Sequence, residues 1–152
     1  MYPRSDGGPG FKYPENRQLR INGIVTREQL TNPDLDSEDQ SNFIVLKHGC
    51  TTDLTVGRYA GLKSYLCDEN GVESVELAIY NYGKSPGPFS AKGDSGSLIF
   101  DGFGRMVGLL HSGKLKSSGL TNTHVTYATP AWWVISQIKK KYPHADFNCT
   151  SW

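Results

Sequence analysis

The chain has 152 residues, 37% hydrophobic and 11% aromatic. This is enough for one small core that buries roughly 68–70% of the unfolded chain's surface. With 16 Lys and Arg against 15 Asp and Glu, the formal charge is +1, which excludes an electrostatic case for nucleic acid or an anionic membrane as partner. No apolar run of transmembrane length and no apolar secretory signal is present, so no membrane contact is expected and an intracellular location is only the default, the compartment being left open.

Residues 1–42 are predicted to be a flexible or partly ordered lead-in to the folded domain. The first 18 residues are rich in Gly, Pro and charge, and residues 18–25 then alternate weakly, which predicts a short strand. Thr26 to Leu30 predicts a helical turn, with Thr26 as its cap and Gln29 at the capping-box position. A polar, acidic connection follows.

Residues 43–152 are predicted to form one all-β domain that ends in a helix. Short apolar and β-branched runs alternate with clusters of Gly, Asn, Asp and Ser. Six strands are predicted, over residues 43–47, 54–59, 76–81, 98–100, 105–110 and 125–128. Asp101-Gly102 between the fourth and fifth strands has the chemistry of a tight hairpin turn.

A C-terminal helix is indicated by apolar residues at helical spacing after residue 130. Thr129 is predicted to cap this helix, with Pro130 at its first position. Lys139 to Lys141 would lie in its last turn, where cations favour the carbonyl-rich end of the helix. Trp132 and Trp133 are predicted to anchor the helix by packing on the barrel.

The three cysteines are an odd number, so at least one is free or pairs with another chain. Cys50 and Cys67 flank a predicted hairpin and could approach one another, so a disulfide between them is one alternative. The alternative is that these residues and Cys149 are reduced thiols, as expected of a chain without a secretory signal.

Gly93-Asp94-Ser95-Gly96-Ser97 is the most informative motif of the chain. It places a small hydroxyl between two glycines, after an acidic residue and ahead of an apolar strand. Glycine at position 93 lets a backbone N–H turn toward a reacting carbonyl oxygen, and glycine at position 96 lets a substrate backbone come close to Ser95. The pattern is typical of an activated serine.

Together with the strand order that follows it, this motif resembles the C-terminal half-barrel of trypsin-like (chymotrypsin-fold) serine proteases. Residues 45–58 are also similar to the K-x-G-x-T-T-G-x-T-x-G hairpin of bacterial and fungal relatives, with Cys50 and Asp53 as departures from it. The resemblance covers about residues 43–142 and is nearest in appearance to little-characterised fungal proteins. It implies a six-stranded antiparallel half-barrel with a C-terminal helix.

The resemblance also implies roles for the residues of the motif. Ser95 would be the nucleophile of a serine endopeptidase, and the backbone N–H groups of Gly93 and Ser95 would form its oxyanion hole. Asp94 would be buried and paired with Lys47, holding the loop open without cleavage of a precursor.

A substrate pocket is implied next to Ser95. Phe89 would lie at its floor, and His111, Ser112 and Gly113 would form the wall against which an extended polypeptide substrate pairs. No cofactor and no metal ion are implied by this chemistry.

The general base is the residue that the sequence does not provide. In the resembled proteases the catalytic histidine and aspartate precede the nucleophile by a whole half-barrel, whereas His48 is the only histidine upstream of Ser95. About forty residues precede the barrel, and a half-barrel needs roughly eighty. The remaining histidines, which follow Ser95, are predicted to be surface or pocket residues: His111, His124 and His144.

Two functions follow. The chain is either the nucleophile-bearing half of a serine endopeptidase, as a fragment or completed by a separate N-terminal half-barrel, or a non-catalytic module that binds an extended peptide along residues 110–113 by strand addition. A coincidental motif in an unrelated β domain is the third alternative.

Overall fold

The structure is a computed structural model that describes residues 20–33, 43–67, 71, 73–82, 87–114 and 125–147. Its strands are β1 (Ile44–Gly49), β2 (Asp53–Cys67), β3 (Glu73–Asn81), β4 (Leu98–Asp101), β5 (Met106–Lys114) and β6 (Val125–Pro130). Two helices flank them, α1 (Arg27–Thr31) and α2 (Ala131–Lys141). In the described residues no helix is long and apolar enough to span a membrane.

The six strands form one closed antiparallel barrel in the order β1-β2-β3-β6-β5-β4. Strand β1 pairs with both β2 and β4, which closes the barrel. Helix α2 packs against β5 and β6. The predicted all-β fold, a six-stranded antiparallel barrel followed by a C-terminal helix, is confirmed.

Strand β2 is longer than the predicted run because it continues past Gly61. The pairing of β2 with β3 shifts register between Tyr59 and Lys63, and Gly61 lies in this irregular stretch with φ +71°. A glycine inside an apolar run suggests a break, but here it accommodates a bulge and the strand continues to Cys67.

The barrel core includes residues from the segment before β1. Val25 and Leu30 are almost fully buried and belong to the same apolar cluster as the barrel residues. The carbonyl of Leu30 accepts a hydrogen bond of 3.0 Å from the buried hydroxyl of Tyr59. Residues 20–33 thus pack on the barrel, while the domain boundary at residue 43 stays a prediction.

Local predictions for this segment are borne out in part. Helix α1 has the predicted capping box, with Thr26 accepting from the Gln29 amide and Gln29 accepting from the Thr26 amide. The predicted strand at residues 18–25 is not formed in its described part, which contains a single parallel β-bridge between Ile24 and Met106. The remainder of that run, residues 18 and 19, lies outside the described residues.

Helix α2 begins one residue later than predicted. Pro130 is its N-cap, with ψ 132°, because this residue still pairs with Gly108 as the last residue of β6. Trp132 packs against the core and lies 5.5 Å from the guanidinium of Arg27, as an anchor should. Trp133 is 47% exposed, so the prediction that it anchors the helix by packing on the barrel is wrong. Its side chain lies on the solvent-exposed face of the helix.

Cys50 is a free, exposed thiol, so the disulfide considered between Cys50 and Cys67 is not formed. Cys149 lies outside the described residues, as does His124.

Candidate active site

The loop that carries Ser95 is fixed at both of its ends by backbone hydrogen bonds. The Asp94 amide donates to the carbonyl of Ala91, and the Ser97 amide donates to the carbonyl of Asp94. The Gly96 amide then donates to the carbonyl of Leu110 on β5. Gly93 and Gly96 have φ values of +107° and +86°, which glycine adopts without strain.

The side chain of Asp94 is fully buried and is the centre of this loop's hydrogen bonds. Its Oδ1 accepts from the amides of Thr51 (2.8 Å) and Thr52 (3.3 Å). Its Oδ2 accepts from the Thr52 hydroxyl (2.7 Å) and the Ala91 amide (3.0 Å), and lies 3.3 Å from Nζ of Lys47. The β1–β2 turn and the serine loop are thereby joined through one carboxylate.

Lys47, the predicted partner of Asp94, is also fully buried. Its Nζ donates to the Thr52 hydroxyl at 2.5 Å and lies 5.7 Å from the ring of Phe89. Gly49 makes this approach possible, because a Cβ there would collide with the Asp94 carboxylate and lie 2.9 Å from the lysine Nζ. The structure brings the predicted pair together; its role in holding the loop open is a proposal.

Burial by itself raises the pKa of Asp94. This is outweighed by the Thr52 hydroxyl, the amides of Ala91 and Thr51, and Lys47, all of which stabilise the charged form, so the pKa lies far below its usual range. Asp94 is therefore a fixed anion at any ordinary pH and has no proton to exchange with a substrate.

Ser95 is exposed at the surface of the loop. Its Oγ donates a 3.3 Å hydrogen bond to the carbonyl oxygen of His111. His111 lies where the pairing of β5 with β6 shifts register, and its Nδ1 is 2.7 Å from the hydroxyl of Ser112. Across the described part of the chain, no imidazole nitrogen is within hydrogen-bond distance of the Ser95 hydroxyl.

The two predicted oxyanion-hole donors are unengaged. Neither the amide of Gly93 nor that of Ser95 donates to an acceptor in the residues that the structure describes. Both residues are exposed. Unengaged backbone donors near the nucleophile are one requirement of an oxyanion hole, and the hole itself stays a prediction.

The predicted pocket residues occupy different environments. Phe89 is 1% exposed and belongs to the barrel core, so its role as a pocket floor stays a prediction. Among the described residues, Ser112 and Gly113 pair with β6 alone, because the pairing of β5 with β4 ends at Leu109 and Leu110. In the described part of the chain, this edge of β5 beside Ser95 has no strand partner.

Sequence reasoning missed several polar residues around this site. Thr51 and Thr52 contact the serine loop, and the buried hydroxyls of Ser90 and Thr126 form a 2.7 Å hydrogen bond. The two consecutive threonines of the hairpin motif were the available signal for the first pair. Within the described residues, no cluster of three or more metal-ligating side chains occurs.

Neither a known protein family nor a curated protein matches the chain. Among solved structures it is similar to a chymotrypsin of Cellulomonas bogoriensis, with a TM-score of 0.47 and 17% identity. The similarity covers 83% of this chain and 53% of that one, so the chain spans about half the length of that chymotrypsin.

Proposed function

We propose that this chain is the nucleophile-bearing barrel of a trypsin-like serine endopeptidase. The observation that carries the proposal is the buried Asp94 network, which holds an exposed Ser95 beside two unengaged amides. A loop that merely connected two strands would not require a fully buried ion pair beneath it. Desolvating two charges costs several kcal/mol per ion unless pairing and hydrogen bonds offset it.

In this proposal the Ser95 hydroxyl attacks the scissile carbonyl of a polypeptide substrate. The carbonyl oxygen becomes an oxyanion that the amides of Gly93 and Ser95 stabilise, and the loss of one such donor costs roughly a hundredfold to a thousandfold in rate. Asp94 acts only through the loop, since it stays ionised. The substrate lies along the open edge of β5 at Ser112 and Gly113.

The proton of Ser95 has to pass to a base, and the carbonyl of His111 cannot take it. We assign this role to an imidazole from outside the described residues, on a second half-barrel supplied by another polypeptide or by a longer form of this chain. A positioned general base contributes roughly 10²–10⁴-fold. Without it, the oxyanion hole and binding still support catalysis roughly 10³–10⁴-fold above water.

The competing function is a non-catalytic peptide-binding module. It is favoured by the hydrogen bond that ties Ser95 to His111, and by the edge of β5, where an extended peptide would add a strand. In this alternative the serine loop is only a wall of the binding groove.

The test is labelling by a fluorophosphonate probe, read by intact mass and peptide mapping, with and without added imidazole as a substitute base. The proposal expects labelling at Ser95 alone, accelerated by imidazole by roughly tenfold or more. Ser95→Ala should abolish it and Ser97→Ala should retain it. Labelling that is absent, or no faster at Ser95 than at other serines, would favour the binding module.

A further inference from the structure

The peptide bond between Lys92 and Gly93 determines whether the oxyanion hole exists. A peptide unit is planar and trans, so its C=O and N–H point in opposite directions. The direction of the Lys92 carbonyl therefore fixes the direction of the Gly93 N–H. Glycine at position 93 permits either orientation of this unit, so something else has to select one.

Thr51 contacts this peptide unit from the β1–β2 turn. Its hydroxyl donates a 2.9 Å hydrogen bond to the Lys92 carbonyl, which leaves the Gly93 N–H facing away from the turn. The same hydroxyl lies so close to Gly93 that a Cβ on this residue would collide with it. The Thr51 amide is held in turn by Asp94 at 2.8 Å. The hydroxyl is thus fixed relative to the serine loop.

We propose that Thr51 is a positioning residue that selects the orientation of the Lys92–Gly93 peptide in which the Gly93 N–H serves as an oxyanion donor. The inference rests on the proposed endopeptidase function. In the opposite orientation the Gly93 N–H would face the turn, which would remove one donor from the hole and break the bond from the Thr51 hydroxyl to the Lys92 carbonyl. The observed geometry, with the hydroxyl donating, is the orientation that keeps both donors free.

Thr51→Val tests this role because valine has the same shape and lacks the hydroxyl. Thr51 is exposed and its backbone bond to Asp94 is retained, so the fold is not at risk. Thr51→Ser restores a hydroxyl. The matched control is Thr55→Val, which loses an equivalent 2.7 Å bond from a threonine hydroxyl to a backbone carbonyl, that of Phe89.

The readout is saturation kinetics of fluorophosphonate labelling in the presence of imidazole, which separates the limiting rate from the binding constant. One net hydrogen bond shifts the equilibrium between the two peptide orientations roughly two- to tenfold, so Thr51→Val should lower the limiting rate by at most that factor at an unchanged binding constant. Thr51→Ser and Thr55→Val should react like the parent. An unchanged rate in Thr51→Val, or an equal loss in Thr55→Val, overturns the inference.

A second measurement does not depend on reactivity. The dipolar coupling of the Gly93 N–H bond in weakly aligned protein should change in Thr51→Val and not in the other two variants. If the parent is not labelled at all, the proposed function fails, and this coupling alone decides whether Thr51 orients the peptide. An unchanged coupling in Thr51→Val then overturns the inference.

Discussion

Replacing Lys47 by methionine is the sharpest test of how the serine loop is held. Methionine keeps much of the length and volume of the side chain but leaves the buried carboxylate of Asp94 without its cation. Removing one partner of a buried pair typically costs about 3–5 kcal/mol. The four other hydrogen bonds that Asp94 accepts remain, so we expect the free energy of unfolding to fall by about 3 kcal/mol, the lower end of that range.

That cost is a large part of the roughly 5–15 kcal/mol that holds a domain of this size folded. Urea denaturation at neutral pH measures the free energy of unfolding, and fluorophosphonate labelling of Ser95 reports on the loop. Lys92→Met is the control, because Lys92 is exposed in the same loop and its loss should stay within about 0.5 kcal/mol. A change below about 1 kcal/mol in Lys47→Met, with unaltered labelling, would refute the idea that the pair holds the loop.

Three further predictions concern the same loop and turn. Gly49→Ala should destabilise the protein by about 1–3 kcal/mol in urea denaturation, because the new Cβ meets the Asp94 carboxylate, while Gly87→Ala, with no atom within 4 Å, should be neutral. Asp53 has φ +49°, a conformation that glycine adopts without strain and alanine does not. In thermal unfolding, Asp53→Gly should therefore be more stable than Asp53→Ala by about 1 kcal/mol. Equal stability of the two variants would show that the backbone at this position is not strained. Because the pKa of Asp94 is lowered in the folded protein, the Asp94 carboxylate of the unfolded chain is protonated first as the pH falls. The ionised Asp94 should therefore stabilise the fold fully above about pH 4, and this stabilisation should be lost progressively below it. Acid titration of the free energy of unfolding measures this pH dependence, which Asp94→Asn should flatten.

The barrel was predictable because its signals are local. Strand alternation, the Asp101-Gly102 turn and the capping box of Thr26 each lie within a few residues of the structure that they determine. The Asp94–Lys47 pair could be predicted only through the resemblance, since its two members lie 47 positions apart along the chain.

What the sequence did not indicate depends on contacts between distant segments. The partner of the Thr51 hydroxyl lies 41 residues away, and no periodicity encodes it. Trp132 and Trp133 are adjacent in sequence, yet the helix places one against the core and the other toward solvent. The end of β6 at Pro130 follows from pairing with Gly108, which overrides the usual preference of proline for the first helical turn.

The participation of Val25 and Leu30 in the core has a practical consequence for anyone who wishes to trim this protein. A shortened polypeptide beginning at β1 would lack two buried core side chains, and its Tyr59 hydroxyl would lose its acceptor. Such a product would be expected to precipitate or to bind dyes for exposed apolar surface. A truncated variant of this protein should therefore keep residues 20–33.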